Sequence, residues 1–315
     1  MRGIVGDIGG TNARFAVAER EGARVRLSQA RSLRGADHDG MFAALKDYLA
    51  GLEGPAPAQI VLAAAGPVRQ QAVRFTNTHW AFSAAELEAE FSFQRAFLMN
   101  DFTANAVAVQ VLAPEELAPL GGPEAPRAEA QDVCGVCGPG SGFGVSALVE
   151  GRPLQAEGGH MAFAPNDEVE DRILGFLRPR YGRVSVERLL SGPGLVDLYE
   201  FFSAQAGRGQ RLEPAEVTRR ALAGEDAAAS LALGRFADIL GAVAGDLALA
   251  FGAERGMYIA GGIVPKLVEV IRASRFRARF EEKGRLSYFN SPIPTFAVLR
   301  GDLAMVGCGA ALEDL

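Results

Sequence analysis

Only three cysteines occur in 315 residues. A disulfide framework is therefore excluded, and a reducing, cytoplasmic setting is the simpler reading. Two of the three, Cys134 and Cys137, form a C-x-x-C. No second C-x-x-C and no spaced histidine pair accompanies it, so it lacks the rest of a zinc pattern. Both also fall in a strand-like run, where an odd offset sends them to opposite faces. No block of basic residues offsets the formal net charge of -6, which argues against nucleic acid and anionic lipid as partners. No apolar run approaches the roughly 18 residues that span a bilayer. Asp7 stands where the apolar core of a signal peptide would have to be. The P-loop signature G-x-x-x-x-G-K-S/T is absent.

What the chain does have is material for two cores. Apolar residues make up 49% and charged residues 22% of the sequence, an ordinary globular balance, and the length corresponds to about two domains at ~150 residues each. Strand-like and helix-like runs alternate throughout, which predicts an α/β class. Strands are expected over residues 3–7, 13–18, 25–32, 59–65 and 96–99, and helices over 40–51 and 102–112. Ser83 with Glu86 reads as a capping box that opens another helix. Residues 113–131, rich in Pro, Ala, Gly and Glu, read as a surface loop or linker. Residues 230–251 form a long helix rich in small side chains, and residues 256–260 a strand that ends in Gly261-Gly262.

One pattern occurs twice. Near the N-terminus a strand-like run ends at Asp7, passes through Gly9-Gly10-Thr11-Asn12 and resumes as a strand. At residues 133–149 a strand, the turn GPGSGFG and a strand follow in the same order. The second turn lacks the G-x-G-x-x-G register and leads into a strand, so a Rossmann fingerprint fails. Either turn alone reads as a tight hairpin. Glycine-rich turns also let backbone N–H groups approach a phosphate. Two such hairpins, with a third glycine turn at residues 260–263, point to the gripping of a polyphosphate. Asp7 would then lie near phosphate-bound Mg²⁺, reached through water because Mg²⁺ keeps much of its hydration shell.

The stretches GDIGGTNARFAV, FTNTHWAFS, LMNDFTANAVAV, GPGSGFGV, EGGHMAFAP, SVERLLSGPG and YIAGGIVPK together resemble the bacterial glucokinase family, a branch of the actin-like ATPase and hexokinase superfamily. They stand in family order over almost the whole chain. The resemblance implies a two-domain actin-like/hexokinase (ribonuclease H-like) fold with an interdomain cleft. The small domain would be residues 1–110 plus 302–315, and the large domain 111–301. It implies ATP-dependent phosphorylation of D-glucose at the 6-hydroxyl, the first step of glycolysis, with Mg²⁺. Closure around the sugar, a cytoplasmic location and a homodimer are also implied. The absence of a cysteine-rich zinc motif sets the chain apart from the ROK-type sugar kinases, and it has no N-terminal helix-turn-helix.

By the same resemblance the first phosphate turn comprises Gly6, Asp7, Ile8, Gly9, Gly10, Thr11 and Asn12. The second comprises Gly138, Gly140, Ser141 and Gly142, and Gly261 and Gly262 face adenosine. Asp101 is the implied general base. Asn100, Glu157, His160 and Glu187 are implied glucose ligands. Chemistry agrees: a carboxylate at the end of a buried strand faces the crevice where α/β ligands bind and can take the proton of an attacking hydroxyl. Two carboxylates and an imidazole suit sugar hydroxyls. Taken alone, Asn100-Asp101 also reads as a helix N-cap, Glu187 as a surface acid and His160 as a packed histidine. The second turn has Pro139, Ser141 and Phe143 where the family has a small residue, Thr and Leu. Ser141 keeps the hydroxyl, and Pro139 removes one N–H donor. Two other readings share these residues: a kinase of another hexose (mannose, fructose or an N-acetylhexosamine), and a non-catalytic, nucleotide-gated sugar-binding protein.

Overall fold

The structure, a computed structural model, describes residues 1–75 and 80–313. Residues 76–79 of the FTNTHWAFS stretch lie outside the described residues. The chain divides into two compact units, Met1–Pro114 with Gly151–Gln155 and Gly301–Leu315, and Glu115–Glu150 with Ala156–Arg300.

In the first unit the strand Arg2–Ile8 pairs antiparallel with Asn12–Glu21 and parallel with Gln59–Ala64, which pairs parallel with Arg95–Asn100. Arg24–Arg34 completes the sheet on the far side of Asn12–Glu21. The sheet is buried on both faces, and alternate residues of one strand serve different cores. Ile60, Leu62 and Ala64 join the cluster of Phe15, Leu45 and Tyr48. Val61 and Ala63 join that of Val107, Met305 and Cys308. That period of two is why residues 59–64 read as an unbroken apolar run. The helix Leu303–Ala310 packs on the second face against the helix Asp101–Ala108.

The second unit repeats the plan. Val133–Pro139 pairs antiparallel with Phe143–Val149 and parallel with Gly256–Ile259, which pairs parallel with Thr295–Val298. Hairpin followed by parallel strands is thus the topology of both units; the hairpin of each is as the repeated pattern in the sequence predicts, and the parallel pairing is seen in the structure.

Two expectations need correction. The stretch read as a loop contains a strand, Leu117–Gly121, paired antiparallel with Thr295–Val298. It is an edge strand, where Pro119 is tolerated because no partner needs its missing N–H. The helix Ala227–Phe251 is also long and apolar enough by composition to cross a membrane, contrary to the reading that no apolar run approaches that length. In the fold it is a core helix: 67% of that apolar stretch is buried, in contact with the helices Gly192–Gln205 and Phe276–Glu281. The predicted capping box is present: Ser83 accepts the Glu86 N–H, and the Glu86 carboxylate accepts the Ser83 N–H at 2.8 Å.

Candidate active site

Each unit presents its share of the predicted site residues at the ends of its strands. In the first unit the strand Arg2–Ile8 carries Gly6, Asp7 and Ile8 in register with Phe15, Arg14 and Ala13. Gly6 and Ile8 are buried in the ladder, and the Gly6 carbonyl is capped by the Cys308 thiol at 3.7 Å. The tip is Gly9, Gly10 and Thr11, closed where the Gly9 N–H donates to the Asn12 carbonyl at 3.0 Å. Thr11 is exposed and Gly9, Gly10 and Asn12 are half-buried. Arg14 reaches Asp7 at 3.6 Å. Burial pushes the Asp7 carboxyl above the ordinary range, against the pull of that guanidinium.

Asn100 and Asp101 stand where the strand Arg95–Asn100 gives way to the helix Asp101–Ala108. Their tasks differ. Asn100 is the cap: its Oδ1 accepts the Phe102 and Thr103 N–H groups at 2.9 and 3.1 Å, while Nδ2 donates to the Gly66 carbonyl at 3.2 Å. Asp101 is the first helical residue, half-buried, with Oδ1 accepting the Phe102 N–H at 2.9 Å. Its carboxylate lies at the positive end of the helix dipole, which favours a negative side chain.

In the second unit the hairpin turn holds Gly140, Ser141 and Gly142, with the Gly140 N–H on the Gly142 carbonyl at 2.8 Å. Gly140 and Ser141 are exposed. The first residue of the helix Gly192–Gln205 donates its N–H to the Gly140 carbonyl at 3.0 Å, so the turn abuts the positive end of a long helix, a natural place for an anion. Gly138 and Gly261 join this hairpin to the third turn. A Cβ on Gly138 would collide with the Ala260 carbonyl, and one on Gly261 with the Pro139 carbonyl. Gly261 also has φ +118°, a conformation that L side chains rarely adopt. Gly262 is exposed beside it.

Glu157 and His160 flank the short turn Gly158–His160, and both are exposed. Glu187 lies in the turn Val186–Arg188. A bridge between Ala162 and Ser185 ties the two segments together. The Val186 N–H donates to the Met161 carbonyl at 2.9 Å, and Arg183 to the His160 carbonyl at 2.8 Å. Glu157, His160 and Glu187, spread over thirty residues of sequence, are thereby brought to one region of this unit.

Sequence reasoning overlooked Arg14 and Gly192, and noted Phe143 only as a departure from the family's turn. The first is visible only once the hairpin register sets it opposite Asp7. The second and third act through backbone groups.

Cys134 and Cys137 are free thiols, half-buried and buried, and burial raises them to about 11 and about 12. Such thiols are poor nucleophiles at neutral pH. The double variant Cys134→Ser, Cys137→Ala is expected to keep kcat within a few-fold of the parent. Steady-state assays before and after mild oxidation check this. Activity that is lost on oxidation, restored by dithiothreitol and insensitive in the double variant would give the pair a redox role.

Comparison with known proteins places this arrangement. A family model described as Glucokinase matches residues 4–315. A glucokinase of Caulobacter sp. (strain K31) is 44% identical over 315 residues, 98% of this chain and 94% of that protein. The crystal structure of a glucokinase from an Antarctic psychrotroph superposes with a TM-score of 0.87 at 34% identity, covering 100% of this chain and 99% of that one. A glucokinase of Balamuthia mandrillaris, solved with glucose, shares the fold with a TM-score of 0.79 at 21% identity, over 99% of this chain and 93% of that one.

Proposed function

The chain belongs to the glucokinase family, and from that premise we propose how its residues carry out the reaction. The activity is ATP-dependent phosphorylation of glucose. The observation that carries the assignment of roles is Asp101, a carboxylate at the first residue of a helix whose cap is supplied by its neighbour Asn100.

Asp101 accepts the proton of the 6-hydroxyl as that oxygen forms its bond to the γ-phosphorus of ATP. The bond from the γ-phosphorus to the bridging oxygen breaks, and ADP leaves. Glu157, His160 and Glu187 bind the ring hydroxyls remote from the reacting one, and Asn100 contributes through its amide. The turns at Gly9–Asn12 and Gly140–Gly142, with Thr11 and Ser141 as hydroxyl donors, hold the phosphates through backbone N–H groups. Gly261 and Gly262 let adenosine approach the backbone. Asp7 offers the hard oxygen that Mg²⁺ prefers. Among the described residues no group of three or more His, Cys, Asp or Glu gathers to hold a metal; an ion brought by the nucleotide would be met by Asp7, through water. When bound, the ion neutralises charge on the phosphates. The proposed setting is the cytoplasm, in keeping with three free cysteines, and the proposed assembly is a homodimer.

Purified protein assayed with glucose, mannose, fructose and N-acetylglucosamine, with ADP release coupled to a detector, tests the reading. Glucose is expected to have the highest kcat/KM. A sugar that leaves one buried polar group unpaired loses about 1–3 kcal/mol, roughly 5- to 150-fold. Mannose or N-acetylglucosamine turned over as efficiently as glucose would make this a broader hexose kinase. Absence of sugar-dependent ADP release would leave a binding protein.

A further inference from the structure

Glu187 touches the second glycine hairpin as well as standing among the proposed glucose ligands. Its Oε2 accepts the Phe143 N–H at 3.0 Å. Phe143 is buried, begins the return strand of the hairpin and directly follows Gly142. The carboxylate comes so near that a Cβ on Gly142 would fall inside van der Waals contact with Oε2. A side chain at 142 would therefore force the carboxylate end of Glu187 to shift, quite apart from any ligand. The carbonyl of the same Phe143 lies where a Cβ on Gly159 would be, and Gly159 sits in the turn between Glu157 and His160. One residue of the hairpin thus meets Glu187 through its N–H and the Glu157–His160 turn through its carbonyl.

A bond from N–H to a carboxylate is roughly twice as strong as a neutral one, and a carboxylate accepts through both of its oxygens. We propose that Glu187 is a positioning residue that couples the glucose ligands to the phosphate hairpin, one oxygen holding a sugar hydroxyl while the other holds the Phe143 N–H. The proposal rests on the glucose and phosphate roles given above. Moving the carboxylate onto glucose resets the hairpin, and fixing the hairpin on a nucleotide sets the carboxylate. Such coupling is reciprocal: each ligand changes the affinity of the other by the same factor.

Calorimetric titration of glucose, without nucleotide and at saturating AMPPNP with Mg²⁺, measures that factor in the parent, Glu187→Asp and Gly142→Ala. The parent is expected to bind glucose about fivefold or more tightly with the nucleotide present, the lower end of typical coupling. Glu187→Asp keeps the charge but withdraws it by one methylene. Gly142→Ala pushes Oε2 off the hairpin without removing any proposed sugar contact. Both are expected to weaken glucose binding in the absence of nucleotide, and to bring the coupling factor to within about twofold of one. Thermal melts verify folding, and either variant suffices if the other fails to fold. Weakened glucose binding with the parent coupling factor intact in both variants would overturn the coupling and leave the ligand roles standing. Unchanged glucose binding in Glu187→Asp would remove Glu187 from the glucose site and the proposal with it. A parent coupling factor of one would also overturn the proposal.

Discussion

Asp101→Asn is expected to fold, to bind glucose and to turn it over at least ~10²–10⁴-fold more slowly, the loss attributed to a general base. Two features separate chemistry from folding at this position. The helix cap belongs to Asn100, whose Oδ1 takes both the Phe102 and Thr103 N–H groups, so the substitution leaves the cap intact. The Asp101 Oδ1 accepts the local Phe102 N–H at 2.9 Å, and an asparagine oxygen can replace it there. Size and polarity are kept, and the ability to take a proton is lost. Asn100 makes a worse probe, because removing a cap costs about 0.5–2 kcal/mol and mixes stability with function. The measurements are kcat by coupled ADP release, glucose affinity by calorimetry and a thermal melt. A well-folded Asp101→Asn protein with near-parent kcat would remove Asp101 from the mechanism.

Gly138→Ala is expected to raise KM for ATP by tenfold or more and to lower the melting temperature of the second unit. The added methyl meets backbone, the Ala260 carbonyl, which cannot rotate away as a side chain can. Overpacking of this kind costs about 1–3 kcal/mol, which corresponds to roughly 2–12 °C for a domain of this size. Relief by shifting the Ala260 turn would displace Gly261 and Gly262, which is why nucleotide affinity falls along with stability. Gly140→Ala is the control. A Cβ there meets nothing within 4 Å, so its melting temperature should match the parent, whatever it does to phosphate binding. Calorimetry and ATP titrations on both variants decide the matter. A Gly138→Ala protein with parent melting temperature and parent KM for ATP would show that the hairpin and the third turn are not held against each other as described.

Much of this protein was legible in the chain. The two hairpins follow from apolar runs interrupted by short glycine turns, because strand and turn preferences act over a few neighbours. The capping box at Ser83 and Glu86 and the place of Asp101 after a buried strand are equally local. So is the long small-residue helix, although its burial had to be seen to separate a core helix from a membrane span. Tertiary structure alone decided the rest. Leu117–Gly121 became a strand because Thr295–Val298, far along the chain, offered it an edge; its own composition favours a loop. Gly138 and Gly261 look like flexible turn residues, yet their missing Cβ atoms are what let two backbones interlock. Either Asn100 or Asp101 could have capped the helix by sequence, and hydrogen-bond geometry shows that Asn100 does. Taken alone, Glu187 read as a surface acid, and the family resemblance implied a glucose ligand; neither placed it against the hairpin. That its oxygen takes the Phe143 N–H depends on a bridge at Ala162 and Ser185 that carries it to the hairpin, and no preference acting over a few neighbouring residues encodes an approach between segments so far apart.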